Sequence, residues 1–139
     1  MPERFYLDSS IWRDYYENRK DKFRPLGEWA LRLIKNIIEN KNYILYSDFV
    51  IKELKIGYNK EEINKIFEIV NKRNLLIKVN ISESQIKESA ILCKKKEVAF
   101  GDALHAVLAR DNKAIMVTRD KHFIELNHIA EIKKPEDLI

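Results

Sequence analysis

The chain has 139 residues, 45% of them apolar, which is enough to build a hydrophobic core and argues against disorder. Its formal charge is +4, from 26 Lys and Arg against 22 Asp and Glu, and its single cysteine, Cys93, excludes an intrachain disulfide and a cysteine-built zinc site. The apolar runs are too short for a transmembrane helix, and MPERFYLDSS lacks the apolar core of a signal peptide, so one cytoplasmic domain over residues 1–139 is expected.

Phe5-Tyr6-Leu7 closed by Asp8-Ser9-Ser10 predicts a strand over about 4–7, then a helix from Ser10 to Glu17 carrying Ile11, Trp12, Tyr15 and Tyr16. Charged residues up to Pro25 predict a loop. Leu26, Trp29, Ala30, Leu33, Ile34, Ile37 and Ile38 recur at helical spacing, with Glu28, Arg32, Lys35 and Glu39 opposite, and form the strongest helical pattern. Tyr43-Ile44-Leu45-Tyr46 predicts the second strand. A helix follows Ser47-Asp48 to about Lys55, with Gly57 as its stop.

Ile63, Ile66, Phe67 and Val70 predict a helix from Lys60 to Arg73, followed by a third strand from Leu75 to Val79. Ser82 with Gln85 is a capping-box pattern opening a helix that runs toward Lys96, where Lys94-Lys95-Lys96 suits a solvated helix end. Gly101-Asp102 begins a helix so apolar around its circumference that it must be buried. Ala114 to Val117 predicts the fourth strand. A helical turn near 121–126 and a weak fifth strand near Ile129 to Ile132 complete the chain.

Short apolar strands alternating with helices predict an α/β domain with a mainly parallel sheet of four to five strands covered on both faces. Ligands of such sheets bind beyond the carboxyl ends of the strands. Asp8 and Asp120 fall there, Asp102 opens a helix on the same rim, and Glu53 lies on the helix after strand two. Singly, Asp8 and Asp102 read as helix caps, Asp120 as a turn residue and Glu53 as a solvated glutamate. Gathered on one rim they repel one another unless protons or a cation neutralise them, and an all-oxygen set suits Mg²⁺ or Mn²⁺.

Tyr6-Leu7-Asp8-Ser9-Ser10, Ser47-Asp48-Phe49-Val50-Ile51-Lys52-Glu53-Leu54, Gly101-Asp102-Ala103-Leu104-His105-Ala106 and Thr118-Arg119-Asp120-Lys121-His122-Phe123 occur in the order and at the spacing of the motifs of PIN-domain nucleases. The chain resembles that family, most closely its stand-alone VapC-type toxins. The resemblance implies a three-layer α/β/α fold and a Mg²⁺ or Mn²⁺ site. It also implies endoribonuclease activity, with RNA hydrolysed by metal-activated water to 5′-phosphate and 3′-hydroxyl ends. Carried over residue by residue, Asp8, Glu53, Asp102 and Asp120 are the metal-binding and catalytic acids, and Ser9 and Thr118 are hydroxyls beside them that would bind a carboxylate, a metal-bound water or the substrate phosphate. An antitoxin partner and a homodimer are implied as well. Arg119 and Lys121 flank Asp120 and are candidate phosphate contacts.

If four acids are committed to a metal cleft, the remaining charges stand at 26 against 18, a formal +8 that favours a polyanion. The same Lys and Glu richness also fits a heat-adapted protein with solvated charge networks. His105 shares the helix face of Asp102 and reads either as a packed rim histidine or as a group supporting the acids or touching RNA. Trp12, Tyr15, Tyr16 and Trp29 read as core, interface or base-stacking platform. Two other functions remain open, a housekeeping RNA-processing nuclease and a non-catalytic RNA-binding protein. A phosphoacceptor domain is disfavoured by Val79-Asn80 at the end of strand three, and a haloacid-dehalogenase-like phosphatase by Ser10.

Overall fold

The computed structural model describes residues 1–139. The strands are β1 (Arg4–Leu7), β2 (Tyr43–Tyr46), β3 (Leu76–Lys78), β4 (Ile115–Val117) and β5 (Ile132–Lys133). The helices are α1 (Ser9–Glu17), α2 (Leu26–Glu39), α3 (Asp48–Leu54), α4 (Lys60–Asn71), α5 (Glu83–Lys96) and α6 (Phe100–Asp111), with 3-10 turns at Lys121–Leu126 and Pro135–Asp137. The five strands form one sheet in the order β3-β2-β1-β4-β5, and every neighbouring pair is parallel. This is the three-layer α/β/α arrangement expected, with the sheet wholly rather than mainly parallel.

The strand order reverses at β1. From β1 the chain builds outward to β2 and β3, then crosses back to lay β4 on the other side of β1. The crossovers leaving β1 and β4 thus diverge, and a crevice opens beyond the carboxyl ends of these strands. Asp8 and Asp120 both follow those ends.

Tyr6, Leu7, Ile44, Leu45, Met116 and Val117 fill the middle of the sheet, and Ala103 through Ala109 of α6 are buried on every side. Trp12 is wholly buried, its ring edge-on to Phe67 at 4.7 Å between centroids. The aromatic group divides: Trp12 belongs to the core, Tyr15 and Trp29 are half-buried, and Tyr16 is 36% exposed. Gly27 makes the junction of α1 and α2 possible, since a Cβ there would lie 2.4 Å from the Asn18 Cα and 2.6 Å from the Asp14 carbonyl oxygen.

Three boundaries differ from expectation for physical reasons. Gly57 does not stop α3 through a left-handed turn, because no glycine has positive φ. It leaves room for Arg13, whose guanidinium donates to the Glu53 carbonyl and would lie 3.0 Å from a Cβ at position 57. The fifth strand starts three residues late, at Ile132, because the Ile129 and Ala130 N–H groups still turn back onto the Leu126 carbonyl. Helix α6 begins at Phe100 with Ala99 as its N-cap, so Asp102 lies inside the first turn instead of capping it.

Candidate active site

Asp8 extends the ladder one residue beyond β1, its N–H donating to the Val117 carbonyl at 3.0 Å. The turn into α1 is closed by the Asp8 backbone carbonyl, which accepts from Ile11 N–H, and not by the side chain. The carboxylate is therefore free of the capping role. One of its oxygens accepts from the Thr118 hydroxyl at 2.9 Å and the Ser10 hydroxyl at 3.0 Å, while Ser9 reaches the other only at 3.5 Å. Thr118 Oγ1 also accepts the Asp120 N–H at 3.1 Å, tying the Asp120 turn to Asp8. Of the two serines, Ser10 makes the shorter bond, which the sequence reading missed.

Glu53 sits in the last turn of α3 and accepts from His105 Nε2 at 2.7 Å. His105 is fully buried, and its ring centroid lies 5.4 Å from those of both Tyr6 and Phe49. Its Nδ1 is 2.8 Å from the Tyr6 hydroxyl, which is 2.7 Å from the Ser47 hydroxyl, and Ser47 Oγ accepts the Val50 N–H that it caps. The protons are assigned from this network. Ser47 donates to Tyr6, Tyr6 donates to Nδ1, and Nε2–H donates to Glu53, so every polar hydrogen has an acceptor. Burial pushes the Tyr6 phenol well above its ordinary range, against the lowering effect of the Ser47 bond and aided by the Glu53 and Asp8 charges, so it remains a donor. His105 is thus both packed and engaged with an acid. Tyr6 and Ser47 gave no signal in the sequence beyond their places in a strand and at a helix start.

Burial first, then the charges of Asp120, Asp8 and Glu53, push the Asp102 carboxyl up to about 6, with His105 acting in the opposite direction. All four expected acids are therefore electrostatically linked through Asp102. Candidate ligand atoms of Asp8, Glu53 and His105 lie within 4.8 Å of one another, as do those of Asp102, Asp120 and His122. Asp120 keeps part of its turn role, since one oxygen accepts the His122 N–H at 2.9 Å. No Lys or Arg forms an ion pair with any of the four acids. Only two histidines meet the set, His105 at Glu53 and His122, whose Nδ1 lies 2.9 Å from Asp120, and carboxylates so sparsely compensated fit a hard divalent cation.

Arg119, expected at a phosphate, instead lies between Glu136 at 2.7 Å and Asp14 at 3.8 Å, with its guanidinium 5.2 Å from the Trp29 ring centroid. Its side chain is only 13% exposed, so it joins the C-terminal turn to α1 and α2. Lys121 is exposed and forms no ion pair.

Tyr6→Phe is expected to weaken Mn²⁺ binding by about tenfold in a calorimetric titration, because without its donor His105 can take the tautomer that turns a lone pair toward Glu53. Unchanged affinity would show that the buried chain does not set the Glu53 geometry.

The profile described as PIN domain matches residues 5–129. Among curated proteins, none matches the chain. Three solved structures share the fold. One is VapBC2 from Rickettsia felis bound to a promoter DNA fragment, at 19% identity and a TM-score of 0.68, with 94% of this chain and 98% of the other covered. Another is a toxin-antitoxin complex from Klebsiella pneumoniae, at 18% identity and a TM-score of 0.62, with coverage of 94% and 97%. The third is FitAcB from Neisseria gonorrhoeae, at 16% identity and a TM-score of 0.60, with coverage of 96% and 99%.

Proposed function

The chain belongs to the PIN-domain family, and from that premise we propose that it is a metal-dependent endoribonuclease serving as the toxin of a toxin-antitoxin pair. The observation that carries the nuclease reading is an acid cluster that no Lys or Arg neutralises, with the Asp102 carboxyl raised to about 6 by burial and by the charges of the other three acids. The toxin reading draws on the resemblance of fold to complexes that are themselves toxin-antitoxin pairs. With it go an antitoxin partner, a homodimer, a single domain over residues 1–139 and action in the cytoplasm.

Asp8 and Asp102 would hold the principal Mg²⁺ or Mn²⁺, with Glu53 and Asp120 completing its shell or taking a second ion. When bound, the ion supplies an acidified water and offsets charge on the phosphoryl group. The chain's own residues supply the rest. Thr118 and Ser10 hold one Asp8 oxygen and leave the other with only the long Ser9 contact. His105 orients Glu53, and one of the carboxylates accepts a proton during in-line attack on phosphorus. Ser9 and Lys121 are the proposed contacts to the substrate phosphate, since the one Thr118 hydroxyl proton is given to Asp8.

Incubation of single-stranded and structured RNA with Mg²⁺, Mn²⁺ or EDTA tests the reading. Cleavage that persists undiminished in EDTA would sink it, and cleavage of no RNA would favour a binding module.

The raised Asp102 pKa predicts a pH dependence. Its protonated form favours the folded ion-free protein, so that contribution is full below the ordinary carboxylate range and is lost as pH rises through about 6. Divalent ions compete with this proton. Mn²⁺ affinity measured by calorimetry is expected to be flat above about pH 6 and to fall by up to about tenfold per unit below it. An affinity independent of pH in that range would remove Asp102 from the ligand set.

A further inference from the structure

Beside the acid cluster lies a cleft of about 580 Å³, of which the proposed mechanism uses only the end formed by Thr118, Asp120 and Lys121. It opens beyond the carboxyl ends of β4 and β5 and shares Thr118 and Asp120 with the acid site, so the two are continuous. Five of its ten lining residues are Lys or Arg, against two Asp. Arg24 is paired with Asp21 and Arg119 with Glu136, but Lys121, Lys133 and Lys134 are exposed and form no ion pair. The second lining acid, Asp137, accepts the Lys134 backbone N–H at 3.3 Å within its own turn. Three exposed lysines without an ion-pair partner thus line a cleft that ends at Asp120.

We propose that this cleft carries the sugar-phosphate backbone of a single-stranded RNA flanking the scissile phosphate, with Lys121, Lys133 and Lys134 as the phosphate contacts. The proposal rests on the nuclease reading and adds to it a substrate track. Its volume is within the range of nucleotide-sized ligand sites. The continuity with the acids selects the occupant. A phosphodiester chain held by the lysines would bring its next phosphate to the acids that would hold the ion, whereas an acidic peptide would bring carboxylates against carboxylates. The lining holds neither an aromatic ring nor a side-chain amide, and half of it is Lys or Arg, so charge on the phosphates dominates its attraction for the strand.

The test uses the full chain in Ca²⁺ with a labelled single strand of about a dozen nucleotides, followed by anisotropy over a range of salt concentrations. Replacing Lys133 and Lys134 together by Ala is expected to weaken binding of oligouridine and oligoadenine alike and to reduce the slope of log K against log salt by about 1.4, the share of two phosphate contacts on a single strand. In Mg²⁺ the same variant raises KM and leaves kcat unchanged. Its Mn²⁺ affinity stays that of the wild type, which separates a lost track from a damaged acid site. Unchanged affinity and slope would overturn the proposal, as would wild-type protein that binds polyglutamate in preference to RNA, which assigns the cleft to an acidic protein segment. Metal-dependent cleavage with an unchanged KM in the variant overturns the track alone. Lysine-dependent binding without cleavage of any RNA overturns the nuclease reading and leaves the track standing.

Discussion

Asp102→Asn is expected to lower RNA cleavage by about a hundredfold or more and, at the same time, to stabilise the ion-free protein. Asparagine keeps the shape of the side chain in the first turn of α6, so packing is undisturbed and only the charge is removed. In the wild type that charge is half-buried and faces Asp120, Asp8 and Glu53, which together with burial push the carboxyl up to about 6. Near neutral pH the group is ionised at a cost, and a neutral side chain relieves it. A gain of about 1 kcal/mol, or an unfolding temperature higher by about 2–4 °C, is expected in EDTA. The opposite signs are diagnostic. A residue with a merely structural part would lose stability along with activity, whereas a ligand charge held against repulsion loses activity and gains stability. Thermal melts in EDTA and in Mn²⁺ check this, and a variant that melts below the wild type in EDTA would refute the repulsive arrangement. The wild type is expected to be stabilised by Mn²⁺ far more than the variant, since only a bound ion adds to the folded state.

The largest effect on stability is expected at Trp12. It is wholly buried between α1 and the ring of Phe67, which in turn packs on Tyr46 at 4.9 Å between centroids. Trp12→Ala empties the contact between α1, α4 and β2, and a cost of about 3–5 kcal/mol is expected, a large part of the roughly 5–15 kcal/mol that holds a domain of this size together. Trp12→Phe should cost much less. It keeps most of the ring volume and removes an indole N–H that is buried without a hydrogen-bond partner. Urea denaturation distinguishes these outcomes. A loss of less than about 1 kcal/mol for Trp12→Ala would mean that the ring is a surface or interface group.

The elements were legible because each carries its own period. Leu26 to Ile38 repeats at helical spacing, and α2 runs from Leu26 to Glu39; Ser82 with Gln85 shows a capping box, and both of its hydrogen bonds form. Three of the four acids could be listed because Asp8 and Asp120 follow strand ends and Asp102 opens a helix, positions read from local punctuation, whereas Glu53, late in its helix, entered through the family resemblance. The supports of those acids were not legible. Tyr6 is one of three successive apolar strand residues, and nothing local marks its hydroxyl as the link from Ser47 to His105, which lie 41 and 99 residues away. Arg119 beside Asp120 read as a phosphate contact, because adjacency along the chain says nothing about Glu136 and Asp14, which hold it in the fold.

The sequence by itself thus determined the α/β class and the order of strands and helices, since periodicity, caps and strand ends are properties of neighbouring residues, and it named the candidate acids through the family resemblance. Tertiary structure decided what those acids experience. By reversing direction at β1, the sheet brings Asp8 and Asp120 to adjacent strand ends and α6 carries Asp102 and His105 up to Glu53. Burial and mutual charge there raise the Asp102 pKa to about 6. Both effects act through space across gaps of many residues in the chain, which is why no local pattern contains them.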